Sequence, residues 1–234
     1  MIELRSVSVV VPGSRRGLPD RTLLDDISLD LPEHRICVIG ANGSGKSTLL
    51  RLLNGLRAPT SGTVLVDGLD VASQARKVRA HVGFIFTDPL AQLLMSTPAE
   101  DIELSLKSTV RKRAERSARA RELLDGRGIG HLAHQSVYDL SGGERQLVAL
   151  ISVLAVEPRI IVADEPTTLL DLRNKHLLRE TFATLPQQLV YSTHDMEVAA
   201  DADRVIVVDE SRVVADGPPA ESIAHYTRAM GALQ

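Results

Sequence analysis

Three stretches of this chain carry residue types at spacings suited to polyphosphate chemistry. The first is Gly40-Ala-Asn42-Gly43-Ser44-Gly45-Lys46-Ser47-Thr48, which follows the apolar run Ile36–Ile39 and precedes a helical pattern. Glycines let backbone N–H groups turn inward around an anion, and a helix opening near Lys46 adds the positive end of its dipole. The order G-x-x-x-x-G-K-[ST] between a strand and a helix is the phosphate-loop pattern. In it Lys46 reaches the terminal phosphates of a nucleotide and the Ser47 hydroxyl is suited to Mg2+. The second stretch is the apolar run Ile160–Ala163 ending in Asp164-Glu165. Ligands of parallel sheets gather at the carboxyl ends of the strands. Asp164 is there a candidate Mg2+ partner, and Glu165, one residue on, could orient or deprotonate an attacking water. The third is Leu140-Ser141-Gly142-Gly143-Glu144, which opens a strongly apolar helix and so offers a second anion-binding set of free N–H groups.

These loops need a scaffold, and the hydrophobic patterning supplies one. Short, nearly continuous apolar runs at 36–39, 82–86, 160–163, 189–193 and 205–208 read as strands buried on both faces of a parallel sheet. Helical patterns at 46–56, 143–156, 172–184 and 196–202 fall between them, which argues for an α/β fold with a mostly parallel sheet. The first 35 residues and the stretch 63–67 read instead as antiparallel hairpins, bounded by Pro12-Gly13 and Asp67-Gly68. Residues 97–140 hold no strand pattern and read as a helical insertion. Its run Arg111-Lys-Arg113…Arg116…Arg119…Arg121 is interspersed with Glu115 and Glu122 and reads as a solvated face.

The chain has 234 residues, 44% hydrophobic and 24% charged, enough apolar material for a sizeable core. Twenty-seven basic against 30 acidic residues give a net charge of −3, and aromatics are 3% with no Trp. Both count against nucleic acid as a partner, since such binders carry a basic excess or stacking rings. The longest uncharged apolar run, 147–156, is about half of the ~20 residues that span a bilayer. A lone Cys37 and an N-terminus without a signal-peptide stretch give the expectation of a cytoplasmic protein. His131 and His134 lack the company of further ligands and read as ordinary loop residues.

Leu140-Ser-Gly-Gly-Glu144, lying between a phosphate loop and an Asp-Glu strand end, resembles the signature motif of ATP-binding-cassette ATPases, and the resemblance covers essentially the whole chain. It implies a P-loop NTPase (RecA-like) core with an N-terminal antiparallel β subdomain, over 1–86 and 157–234, and an inserted helical subdomain over 87–156. It implies ATP and Mg2+ as ligands. It also implies a head-to-tail homodimer or heterodimer in which Ser141, Gly142 and Gly143 of one cassette close on the γ-phosphate held by the other. Thr168-Leu-Leu-Asp171 resembles the D-loop, and His194, in Tyr191-Ser-Thr-His194-Asp195, resembles the switch histidine that contacts the γ-phosphate.

Two positions depart from that pattern. Thr87 stands where the family carries the Q-loop glutamine that touches Mg2+ and the catalytic water; Gln92 lies beyond the matching place. Val11 stands where an aromatic residue stacks on adenine, so the base meets only aliphatic contact or a guanidinium from Ser14-Arg-Arg-Gly17, and GTP is expected to compete well with ATP. The segment from Gly83 to Ile102 resembles the Q-loop region of energy-coupling-factor importers, of the biotin or cobalt type, with biotin preferred. The partners so implied are a transmembrane coupling (T) subunit and a substrate-capture (S) subunit, which hold the ATPase at the inner face of the membrane. Leu90, Leu93, Leu94 and Met95 are candidates for the surface that meets the coupling subunit. An exporter or lipoprotein-release ATPase is the first alternative, and a cytosolic DNA-repair or regulatory ATPase the second.

Overall fold

Alternating apolar residues on β1 (Ile2–Val11) and β2 (Arg21–Leu31) bury Ile2, Leu4, Val7 and Val9 on one face and leave polar residues on the other. A computed structural model describes residues 1–13 and 19–231; the guanidinium donors suggested at Ser14-Arg-Arg-Gly17 lie outside them. β4 (Ser61–Val66) pairs with β1, and the short β5 (Leu69–Asp70) with β4, giving an antiparallel sheet of order β2-β1-β4-β5.

The second sheet is the one read from continuous apolar runs. Its strands are β3 (Arg35–Ile39), β6 (Val82–Ile85), β7 (Ile160–Ala163), β8 (Gln188–Ser192), β9 (Arg204–Asp209) and β10 (Arg212–Gly217), in the order β10-β9-β3-β8-β7-β6. All neighbours are parallel except β10, which runs antiparallel along the edge. β3 and β7 are buried at every residue, as strands covered on both faces must be. Helix α1 (Lys46–Leu53) packs Leu49, Leu50, Leu52 and Leu53 into the core shared by the two sheets. It ends three residues short of the expected Leu56, where the Asn54 amide donates to the Val82 carbonyl and Gly55 turns to φ 69°. Helices α2 (Val71–His81), α6 (Leu172–Thr184), α7 (Met196–Ala199) and α8 (Pro219–Gly231) complete the layers over this sheet.

A separate apolar cluster lies among α3 (Pro98–Ser105), α4 (Arg113–Asp125) and α5 (Gly142–Leu154), built on Ile102, Ala120, Leu124, Val148 and Ile151. On α4 the basic run faces outward. Lys112 pairs with Glu115 at 2.9 Å and Arg119 with Glu122 at 2.8 Å, so the local acids supply its counter-charge. Leu93 is 7% exposed and belongs to this cluster, which removes it from the candidate partner surface. Its N–H closes a tight turn onto the Pro89 carbonyl, and that turn points it inward. Leu94, 76% exposed, together with Met95 and Leu90, remains on the outside.

The segment carrying Leu94 and Met95 is fastened to α5 through Asp101 of α3 and through Gln92. The buried Asp101 carboxylate accepts the N–H groups of Leu94 and Met95 and the Ser152 hydroxyl. The Gln92 amide donates to the Ala149 carbonyl while its oxygen accepts the Phe86 N–H. Among the described residues no helix is long and apolar enough to cross a membrane.

Candidate functional site

The order of the parallel strands decides which loops meet. β8 lies between β3 and β7, so the loops after all three open at one end of the sheet. The loop after β3 carries the glycines and Lys46, the loop after β7 carries Asp164 and Glu165, and the loop after β8 carries His194.

The turn out of β3 is sterically fixed. Gly40 has φ 150°, and a Cβ there would lie 2.0 Å from the Val208 carbonyl oxygen, so no other residue type fits without moving β9. The loop then runs into α1, whose first turn begins at Lys46. The Lys46 side chain, 4% exposed, donates to the carbonyls of Gly40 at 2.8 Å and Ala41 at 3.0 Å and lies 3.7 Å from Glu165 Oε1. Burial lowers its pKa below the ordinary lysine value, partly opposed by the charges of Glu165 and Asp164. A phosphate ligand would favour the charged ammonium. Nucleotide affinity is therefore expected to hold below the lowered pKa of the empty site and to fall as pH rises through it. Calorimetric titrations with ATP at alkaline pH, in two buffers of different ionisation heat, should show proton uptake; none at any alkaline pH would contradict it.

Asp164 is buried at the end of β7. Its Oδ1 accepts the hydroxyls of Ser47 and Ser192, each at 2.9 Å. A hydroxyl and a carboxylate oxygen so placed are the hard donors that Mg2+ prefers, with phosphate and water completing the shell. The site's residues thus fit that ion. Glu165 follows at φ 49°, a left-handed conformation uncommon for this residue type. Its N–H donates to the Ser192 hydroxyl at 3.0 Å, and its Oε1 meets His194 Nε2 at 2.6 Å. The strained turn aims the carboxylate back over the loop, between Lys46 and His194.

Thr87, at the end of β6, donates its hydroxyl to the Asp164 backbone carbonyl at 2.9 Å. It thereby ties two strand ends together. Thr87→Val is expected to cost about 1 kcal/mol of stability through the lost bond, read as a shift in the denaturation midpoint; an unchanged midpoint would count against that role. Val11 pairs with Arg21 across β1 and β2 and does not line the cavity over the phosphate loop. That cavity, of about 180 Å³, is lined by Asn42, Gly43, Gly45, Lys46, Ser47 and Thr48, with Glu165, Arg21 and Leu23 at its edge. Ser44 is buried beneath the loop. Ser192 and Arg21 escaped the sequence reading. Ser192 had a signal, since it lies two residues before His194 at a strand end; Arg21 had none.

Ser141, Gly142 and Gly143 do not line this cavity. They form the start of α5, with Ser141 exposed and the two glycines half-buried, where a capping box closes: the Glu144 N–H donates to the Ser141 hydroxyl and the Ser141 N–H to the Glu144 carboxylate. Those bonds hold the Glu144 carboxyl below its usual value. Behind them, a Cβ on Gly143 would fall 2.2 Å from Asn174 Cγ on α6, so signature loop and α6 are in close contact. Asp171 caps α6 by accepting the Asn174 N–H at 2.8 Å, and the Lys175 ammonium lies 3.3 Å from Asp195, next to His194. His131 and His134 are exposed, and no cluster of three or more His, Cys, Asp or Glu gathers among the described residues. Cys37 is buried, and burial raises its thiol pKa, so it takes no part in the chemistry of the site.

The chain is similar to known proteins over most of its length. The family model described as "ABC transporter" matches residues 24–168. A putative ABC transporter ATP-binding protein of Deinococcus radiodurans is 42% identical over 98% of this chain and 99% of its own length. The biotin transport ATP-binding protein BioM of Rhizobium etli is 44% identical over 88% of this chain and 92% of its own. An energy-coupling factor transporter ATP-binding protein of Mycoplasma mobile is 38% identical over 94% and 81%. Among solved structures, a dimeric post-hydrolysis state of an ATP-binding cassette bound to ADP and Pi superposes with a TM-score of 0.82 at 29% identity, covering 94% of this chain and 99% of that one. The matched family model, the relatives and the shared fold together show that the chain is a member of the ABC transporter ATPase family.

Proposed function

We propose that this chain is the ATP-hydrolysing subunit of an energy-coupling-factor importer, with biotin as the cargo of the assembly and a coupling subunit and a capture subunit as its membrane partners. The observation that carries the reading is the 44% identity to a biotin transport ATP-binding protein over nearly the full length of both chains. The relation to an energy-coupling factor transporter ATP-binding protein supports the importer class. Through such partners the subunit would work at the inner face of the membrane.

The mechanism follows from the contacts. In the empty site Glu165 is held by Lys46 and His194. An arriving triphosphate draws the Lys46 ammonium onto its β- and γ-oxygens, which releases one of the two side chains that hold the carboxylate. Ser47 and Asp164 would hold Mg2+, which when bound neutralises charge on the phosphates. Ser141 and Gly143 of a second cassette close over the γ-phosphate with backbone N–H groups and the helix dipole. Glu165 then takes a proton from water as the water oxygen bonds to the γ-phosphorus and the bond to the β-phosphate oxygen breaks. His194, beside Glu165, positions the γ-phosphate. Loss of that phosphate removes the contact that distinguishes the closed pair from the open one, so the population shifts to open.

Purification of membrane complexes through a tag on this chain tests the reading, together with labelled-biotin uptake in cells lacking it. Co-purification of a coupling protein with a small capture protein, and loss of uptake, is the expected result. An exporter permease as sole partner, or unchanged uptake, would defeat it.

A further inference from the structure

We infer that Arg21 is a second cation of the phosphate cavity and grips the polyphosphate of the nucleotide without regard to its base. This rests on the reading of the cavity as a nucleotide site. Arg21 opens β2 and is exposed. Alternation along the strand puts Arg21 and Leu23 on one face, and both edge the cavity. The Arg21 Nη2 lies 3.9 Å from the position a Cβ on Gly43 would take. Lys46 is engaged by Glu165 at 3.7 Å, whereas Arg21 forms no ion pair among the described residues. The cavity, about 180 Å³, is smaller than the roughly 300–1,000 Å³ of a site that encloses a whole small molecule. It suits phosphate groups, and the planar fork of an arginine matches phosphate oxygens bidentately. The register places Val11 directly across from Arg21, so the end of β1 that offers no ring for the base lies beside a side chain that binds charge.

Displacement of a fluorescent ATP analogue from the full chain by Mg-ATP and by Mg-GTP tests this with Arg21→Ala, Arg21→Lys and Lys46→Ala. Arg21→Ala is expected to weaken ATP and GTP by the same factor, about tenfold, as for one charge-assisted hydrogen bond. Arg21→Lys should fall between parent and Arg21→Ala, since the point charge remains while the bidentate fork is lost, and added salt should narrow the gap between parent and Arg21→Ala. A loss for ATP without an equal loss for GTP would make Arg21 a base contact and overturn the inference. Unchanged affinity in Arg21→Ala beside a clear loss in Lys46→Ala would overturn it while leaving the cassette reading intact. Unchanged affinity in both would overturn the reading of the cavity itself.

Discussion

Glu165→Gln is expected to bind ATP as tightly as the parent and to hydrolyse it about 10²–10⁴-fold more slowly, the usual contribution of a positioned general base. The amide keeps the size of the carboxylate and its place in the left-handed turn. The Glu165 N–H bond to Ser192 and the Asp164 contacts below it belong to other groups. The proton acceptor is lost, together with the negative charge that faces Lys46 and His194 in the empty site. Since the γ-phosphate then stays in place between two cassettes, the variant should accumulate as a nucleotide-bound pair. Light scattering with Mg-ATP would show twice the mass of the single chain, and single-turnover kinetics would show uncleaved ATP. Turnover at the parent's rate would remove Glu165 from the role of base.

Gly143→Ala is expected to abolish hydrolysis to a similar degree, about 100-fold or more, while leaving nucleotide binding to the single chain intact. The reason is spatial. The added methyl would sit 2.2 Å from Asn174 Cγ, so the Asn174 side chain must turn away or the first turn of α5 must shift, and that turn carries the donors proposed for a second cassette. The methyl points into the chain's own α6, so Gly143→Ala combined with Asn174→Ala has room for it. The double variant should recover to within about tenfold of the parent. Failure to recover, with a normal fold by circular dichroism, would mean that glycine is required by the partner rather than by α6.

The loops proposed to hold phosphate were legible because backbone demands fix residue types. No side chain replaces Gly40 beside the Val208 carbonyl, and two acids closing a buried apolar run, Asp164-Glu165, have to lie at the open end of the sheet. What escaped depends on contacts that no local pattern records. Arg21 reaches the phosphate loop only because β2 lies over it. Asn174 faces Gly143 from a helix begun after the acid pair. Leu93 and Leu94 are adjacent and alike in composition, and a single turn bond onto Pro89 sends one inside and the other out. β10 and α8 went unread for a plainer reason. β10 is a half-exposed edge strand, and the start of α8 is marked by a proline pair, Pro218-Pro219, that also fits a simple chain break.

The fastening of residues 92–95 to α5 has a mechanical consequence. In its C-terminal half that helix is gripped by Gln92 at Ala149 and by Asp101 at Ser152; at its other end it opens with Ser141 and Gly142. Thirteen residues of helix make a stiff strut of about 20 Å. A force delivered to Leu94 and Met95 would move the strut as one piece and swing its glycine tip, rather than being absorbed by a soft hinge between them. Travel in the reverse direction is equally direct, so a stroke begun at the phosphates would be felt at those two side chains without any change inside the nucleotide cavity having to relay it.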